Sequence, residues 1–229
     1  METGIKIHNL AKQLWEINRS ITGEGVRQTL NVISKIIPKL KVHSVKTGTK
    51  VFDWTVPKEW HVSKAYIITP AGDRICDYMD NNLHLVGYST PCNKIIPLSK
   101  LQKHLYSLPE QPDAIPYITS YYKERWGFCI SEIERDQLED GDYHVVIDSN
   151  LFDGILNYGE LIIEGDSKEE VFLSSYICHP SMANNELSGP TVLTFLAKWL
   201  TDLERRKYSY RIVLIPETIG SITYLAKTI

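Results

Sequence analysis

Apolar positions along residues 171–217 recur in three rhythms, and each rhythm predicts an element. Val171 to Ile177 is a short run of β-branched, aromatic and aliphatic residues, the pattern of a strand buried on both faces. The run stops at Cys178-His179-Pro180, and Pro180 cannot continue a central ladder. Ser188-Gly189-Pro190 reads as a helix start, with Ser188 as N-cap and Pro190 in the first turn. Val192, Phe195, Leu196, Trp199, Leu200 and Leu203 follow at helical spacing, and Arg205, Arg206 and Lys207 suit the negative end of the dipole. Arg211 to Ile215 is a second apolar strand, closed by Pro216. Two strands joined by one helix predict a right-handed βαβ unit with parallel strands.

Upstream, residues 5–37 are helical in pattern. Ile7, Leu10, Leu14, Ile17 and Ile21 form one stripe; Thr22-Gly23-Glu24-Gly25 breaks it; Val26, Leu30, Ile33 and Ile37 resume it before Pro38. This predicts an αα pair outside a sheet, with Arg19, Glu24 and Arg27 as solvated charges beside the break. Residues 41–52 suggest a strand. From residue 52 to 150 the texture changes, for seven of the eleven prolines and eight of the thirteen tyrosines fall there. Short segments at residues 65–69, 83–88 and 143–148 are separated by turn signals such as Pro70-Ala71-Gly72 and Asp140-Gly141. Leu161 to Ile163 then re-enters the main sheet. The prediction is an α/β fold: a mostly parallel sheet flanked by helices, built from residues 1–51 and 151–229, with a small β-rich domain inserted at 52–150.

With 43% apolar and 23% charged residues, the chain can bury an ordinary globular core. A net charge of −3 gives no electrostatic case for nucleic acid or an anionic membrane surface. No apolar run approaches a transmembrane length, and the N-terminus has no signal-peptide core. Cys76, Cys92, Cys129 and Cys178 form no CxxC pair, which points to reduced thiols and a cytoplasmic location.

The candidate chemistry follows from the topology. Ligands in open α/β sheets bind beyond the carboxyl ends of the strands. His179 stands at one such end and Glu217 at the other, with Asn184, Asn185 and Glu186 in the loop above. An imidazole and a carboxylate on one rim are what a metal or general-base site requires. The alternative is that His179 caps a turn and Glu217 caps the next helix. A Cys178 nucleophile served by His179 is disfavoured, because adjacent residues on an extended segment point to opposite faces.

Three stretches carry a family resemblance: Cys178 to Pro190, Pro216 to Ile222, and, in the middle segment, Asn81–Pro91, Ile115–Phe128 and Asp148–Gly154 taken together. The chain resembles the bacterial aminopeptidase-like proteins often found with polysaccharide-biosynthesis genes, within the superfamily of zinc aminopeptidases with a co-catalytic metal pair. Its middle segment is similar to that group's inserted domain of unknown function. The resemblance implies a zinc-aminopeptidase-like fold, one or two zinc ions, and hydrolysis of N-terminal peptide or related amide bonds in a peptide or aminoacyl substrate. It implies that His179 is a metal ligand, that Asn185 stands where the group has a ligating aspartate, and that Glu217 is the general base. Ser188 and Gly189 match the Ser-Gly that starts the helix behind the site. An Asn offers one neutral carbonyl oxygen where a bridging ligand offers two anionic ones. Thr218 stands where two-metal relatives carry a second glutamate. Further ligands, another histidine among them, are implied beyond Ile229, so the chain reads as the N-terminal portion of a longer enzyme. Its exposed sheet edge predicts self-association into a homo-oligomer. Tyr88, Tyr121, Tyr122 and Trp126 are candidates to roof a cleft or, as the more ordinary alternative, to fill the inserted domain's own core, and His84 is a candidate cleft or structural histidine. The competing functional reading is a non-catalytic binding or partner-interaction protein on the same scaffold.

Overall fold

The first apolar stripe forms helix α1 (Glu2–Trp15) in the computed structural model, which describes residues 2–120 and 123–228. Leu10 and Leu14 are its buried positions. Residues 16–23 are not helical, and α2 (Glu24–Ser34) starts after Gly23, whose φ of 129° lies where side chains are rarely tolerated. Gly25 is needed for a different reason: a Cβ there would lie 1.9 Å from the Asn18 carbonyl oxygen. Strand β1 (Lys41–Lys46) and a tight hairpin of β2 (Lys50–Val51) and β3 (Trp54–Thr55) complete this part. It belongs to one compact unit, residues 1–59 with 152–229; residues 60–151 form another.

The second unit runs through β4 (Glu59–Ile68), β5 (Arg74–Ile75), β6 (Cys92–Pro97), α3 (Leu98–Leu101), β7 (Leu105–Tyr106), β8 (Phe128–Cys129), α4 (Glu132–Asp136) and β9 (Asp142–Phe152). Its four-stranded sheet has the order β5-β4-β9-β6. The expected strand at 83–88 is mostly absent; single bridges from Leu85 to Phe128 and from Gly87 to Thr119 take its place. Tyr88 is buried and stacks on Trp60, and Trp126 stacks on His104 at 3.6 Å. His84 Nδ1 lies 2.8 Å from the Cys129 carbonyl. These three side chains therefore serve their own unit. Tyr121 and Tyr122 lie outside the described residues.

The first unit resumes with β10 (Ile155–Ile163), β11 (Glu170–Tyr176), α5 (Ser188–Asp202), β12 (Ser209–Ile215) and α6 (Ile219–Thr228). The sheet order is β1-β10-β12-β11. β11 and β12, the pair joined by the α5 crossover, are parallel, while β1–β10 and β10–β12 are antiparallel. The α/β expectation holds, but the sheet is mixed rather than mostly parallel: only one pair has the long helical connection that parallel pairing needs. β11 is also an edge strand among the described residues. Phe172 is 52% exposed, so the strand expected to be buried on both faces is not.

Leu14, Leu30, Ile33, Ala197, Leu200, Ile212 and Leu214 lie in one buried cluster that joins α1, α2 and α5 to the sheet. α5 presents a face rotated from the one its apolar spacing suggests. Pro190, Thr191, Leu193, Thr194, Ala197 and Leu200 are buried, while Val192 and Trp199 are 51% and 57% exposed. The two threonines enter the core because their hydroxyls donate to carbonyls one turn back, Thr191 to Leu187 and Thr194 to Pro190. Ser188 is the first helical residue instead of the cap; its hydroxyl donates to the Asn184 carbonyl. At the other end, Arg206 Nη1 donates to the Leu200 and Leu203 carbonyls at 2.9 and 2.6 Å, which satisfies the helix C-terminus.

Among the described residues, no helix is long and apolar enough to cross a membrane.

Gly25→Ala is expected to lower stability by about 1–3 kcal/mol through overpacking against Asn18. Urea unfolding followed by circular dichroism reads the change; an unaltered midpoint would mean that the α1–α2 turn is not held by this close approach.

Candidate functional site

β11 and β12 pair in parallel from Glu170 opposite Ser209 to Tyr176 opposite Ile215, so both strands finish on the same edge. The Ile177 N–H still donates to the Ile215 carbonyl at 3.1 Å. Beyond that rung each chain turns away at a proline, Pro180 and Pro216. His179 and Glu217 emerge on the same rim, with His179 Nε2 3.5 Å from Glu217 Oε2. The imidazole is nearly buried, whereas the Glu217 side chain is 33% exposed. The geometry expected of the two strand ends is present.

The loop between β11 and α5 returns Glu186, not Asn185, to this histidine. The Glu186 side chain is fully buried. Its Oε1 meets His179 Nδ1 in a short contact. Its Oε2 accepts the backbone N–H groups of Cys178 and His179. Asn185 is exposed, and no hydrogen bond to its side chain is found among the described residues.

Cys178 joins the two strand ends. Its Sγ donates to Glu186 Oε1 at 3.3 Å and accepts the Glu217 backbone N–H at 3.1 Å. Burial pushes the thiol well above its ordinary pKa, and the Glu186 charge adds to the effect. The sulfur lies 3.9 Å from His179 Nδ1, so Cys178 and His179 do not diverge as an extended segment would require. The reason is that β11 ends at Tyr176, and the alternation of sides ends with it. A nucleophile–base pair still does not form, because Glu186 occupies Nδ1 and the thiol stays protonated.

Arg19, expected on the surface, is 1% exposed. Its Nη1 donates to the Leu14 carbonyl, and its Nε and Nη2 have no partner among the described residues. Burial drives the guanidinium down to about 10, against the opposing pull of Glu186 and Cys178. Arg27 is also more engaged than expected: it reaches Glu59, whose side chain is only 5% exposed. Glu24 alone of the three charges is on the surface. Ser181 ties the loop to the end of α1 through a 2.7 Å hydrogen bond to the Trp15 carbonyl.

Strain is concentrated around these residues. Six non-glycine residues among those described have positive φ, and three of them are Ser181, Glu186 and Thr218. Thr218 is β-branched, the type least suited to its φ of 53°. Each such residue costs on the order of 1–3 kcal/mol and persists where neighbours over-determine it. Glu186 is fixed by its backbone and imidazole contacts; Thr218 is fixed by the Ile222 N–H, which donates to its carbonyl at 2.9 Å.

Cys178, His179 and Glu186 are close enough together to hold a metal ion, with one ligand atom from each within 4.8 Å of the others. Hydrogen bonds already engage both oxygens of Glu186, and a protonated thiol is a poor ligand. The other nitrogen, Nε2, faces the Glu217 carboxylate. In the tautomer whose Nδ1 donates to Glu186, Nε2 and the Glu217 carboxylate are two acceptors 3.5 Å apart, an arrangement that suits a cation or a shared proton between them.

The family model described as Domain of unknown function (DUF4910) matches residues 8–229. A protein of Clostridium acetobutylicum, named for polysaccharide biosynthesis and an aminopeptidase-like domain, is 53% identical over 226 residues, covering 99% of this chain and 52% of its own length. A crystal structure from the same organism, described provisionally as a peptidase, has TM-score 0.96 at 52% identity over 99% of this chain and 53% of that one. This chain thus spans about half the length of these relatives. Two more distant structures share the fold. BSAP, a zinc aminopeptidase from Bacillus subtilis, has TM-score 0.61 at 11% identity, covering 96% of this chain and 64% of that one. A Peptidase M28 precursor from Shewanella amazonensis has TM-score 0.64 at 12% identity, covering 97% and 67%.

All four cysteines are buried, and burial raises the thiols of Cys76, Cys92, Cys129 and Cys178. Thiol reagents at pH 8 are therefore expected to label none of them until the chain is unfolded; rapid native labelling of Cys178 would revive it as a nucleophile. Above the ordinary thiol pKa of 9.0 the unfolded chain loses thiol protons that the native chain keeps, so stability falls as pH rises toward about 12, the value for Cys129. The slope is about 1.4 kcal/mol per pH unit for each retained thiol proton. Urea midpoints at pH 8, 9 and 10 measure it.

Proposed function

The chain belongs to the DUF4910 family, and from that premise we propose that its first unit carries part of a metal-dependent hydrolytic site for N-terminal peptide or related amide bonds. The carrying observation is the 3.5 Å approach of His179 Nε2 to Glu217 Oε2 at two parallel strand ends, with Nδ1 already taken by Glu186. In this reading His179 Nε2 is a metal ligand and Glu217 is the general base. Asn185 supplies a neutral amide oxygen from the exposed loop above. The names of the relatives, an aminopeptidase-like domain in one and a zinc aminopeptidase in another, favour zinc and a peptide or aminoacyl substrate.

The donor set suits that metal. Imidazole nitrogen is an ordinary zinc ligand, and catalytic zinc takes three protein ligands plus an open position, of which this reading names His179 and Asn185. The chemistry a bound zinc supplies is Lewis-acid polarisation of the scissile carbonyl and a lowered pKa for water. The protein's own groups do the rest. Glu217, partly exposed and next to Nε2, accepts the proton of the attacking water and returns it to the leaving amine. Glu186, buried beneath the ring, keeps the imidazole from rotating away.

The test is zinc content by plasma mass spectrometry after dialysis against trace zinc. About one zinc per chain is expected, as for a site with one open position. His179→Ala should lose it. Glu217→Gln should keep the metal and lower turnover of aminoacyl fluorogenic substrates by about 10²–10⁴-fold, the usual contribution of a general base. No metal in the unsubstituted chain would sink the reading. Zinc without turnover would select the alternative of a non-catalytic binding scaffold, which the neutral Asn185 favours.

Asn185→Asp adds an anionic oxygen and is expected to tighten zinc binding in calorimetry. Equal affinity in the two forms would remove Asn185 from the ligand set.

A further inference from the structure

Four groups converge on the buried Glu186 carboxylate: the N–H groups of Cys178 and His179 donate to one oxygen, and the Cys178 thiol and the His179 Nδ1 atom meet the other. That arrangement places a hydrogen on Nδ1 if Glu186 is an acceptor on every side. We propose that Glu186 is a positioning residue that locks His179 in the tautomer with hydrogen on Nδ1, so that the Nε2 lone pair is presented to Glu217 and the rim. The reading of Nε2 as a metal ligand is the one proposed above, and this inference rests on it only for its functional consequence.

The geometry supports a dedicated role. Glu186 reaches the ring from a backbone φ of 71°, a conformation costly for a long side chain and held here by its own carboxylate contacts. Its neighbour Asn185 is exposed while Glu186 is buried. The Glu186 charge opposes the lowering of the Arg19 pKa by burial, and Arg19 is itself 1% exposed, with two nitrogens lacking a partner among the described residues. A carboxylate that receives the second nitrogen of a ligating histidine fixes the ring's orientation and tautomer, and its loss typically costs 10–100-fold in metal affinity.

Glu186→Gln makes a sharp prediction because it is nearly isosteric. One end of the side chain must accept two backbone N–H groups, so the amide oxygen belongs there. The NH₂ then faces Nδ1 and donates to it. Nδ1 becomes an acceptor, and the ring hydrogen moves to Nε2. Long-range ¹⁵N–¹H correlation spectra of the metal-free chain at one pH report this directly, with His179→Ala identifying the ring signals. The expected result is Nδ1–H in the unsubstituted chain, Nε2–H in Glu186→Gln, and zinc affinity about 10–100-fold weaker in the variant. An Nε2–H ring or an imidazolium in the unsubstituted chain overturns the proposal, as does an unchanged tautomer in folded Glu186→Gln. If the variant does not fold, the unsubstituted spectrum still decides. A tautomer switch in a chain that binds no zinc keeps the positioning role and removes the metal-ligand reading. Equal zinc binding with no switch does the reverse.

Discussion

One buried carboxylate holds the candidate site together. Glu186 binds the backbone at the end of β11, the imidazole of His179 and the thiol of Cys178, and that thiol accepts the backbone N–H of Glu217 at the end of β12. The two strands bring their ends to one edge, but parallel pairing stops at the rung between Ile177 and Ile215. What lies beyond has no ladder to shape it. Glu186 replaces the ladder with side-chain hydrogen bonds, and these are strong because acceptor and donors are shielded from water.

This arrangement has a cost that the rest of the unit must offset. A carboxylate with no exposure and a guanidinium with almost none are both removed from solvent, and two guanidinium nitrogens have no partner among the described residues. Three backbone positions in or beside the same loops are strained. Unfavourable terms of this kind gather where chemistry needs a fixed geometry, not where packing alone is required. The stable background is the cluster formed by α1, α2 and α5 with β10 and β12, which also anchors the helix ends and loops that carry Arg19 and Glu186.

The second unit offers a contrast. His84 and His104 each place Nδ1 against a backbone carbonyl of their own unit, and Trp126 and Tyr88 stack on neighbours there. Its polar and aromatic groups satisfy one another locally. By the same physical criteria that single out the strand ends of the first unit, these residues read as structure.

By itself the sequence determined the elements and their chemistry-bearing ends. The Thr22–Gly25 break, the strand-helix-strand run from Val171 to Ile215, Arg206 closing α5, and the delivery of His179 and Glu217 to one edge are all local or topological consequences of residue pattern. The tertiary structure alone decided what required knowing what lies across the chain. Among the described residues β11 is an edge strand, because β1 and β10 lie on the far side of β12. α5 turned Thr191 and Thr194 inward because hydroxyls bonded to their own helix behave as small apolar groups, which a count of apolar letters does not register. Arg19 is inside, where its Nη1 donates to the Leu14 carbonyl and the charge of Glu186, more than 160 positions away in the chain, favours its charged form. Glu186, and not its neighbour Asn185, reached the imidazole because the loop backbone adopts a positive φ, and periodicity says nothing about the direction of a side chain in a segment with no period.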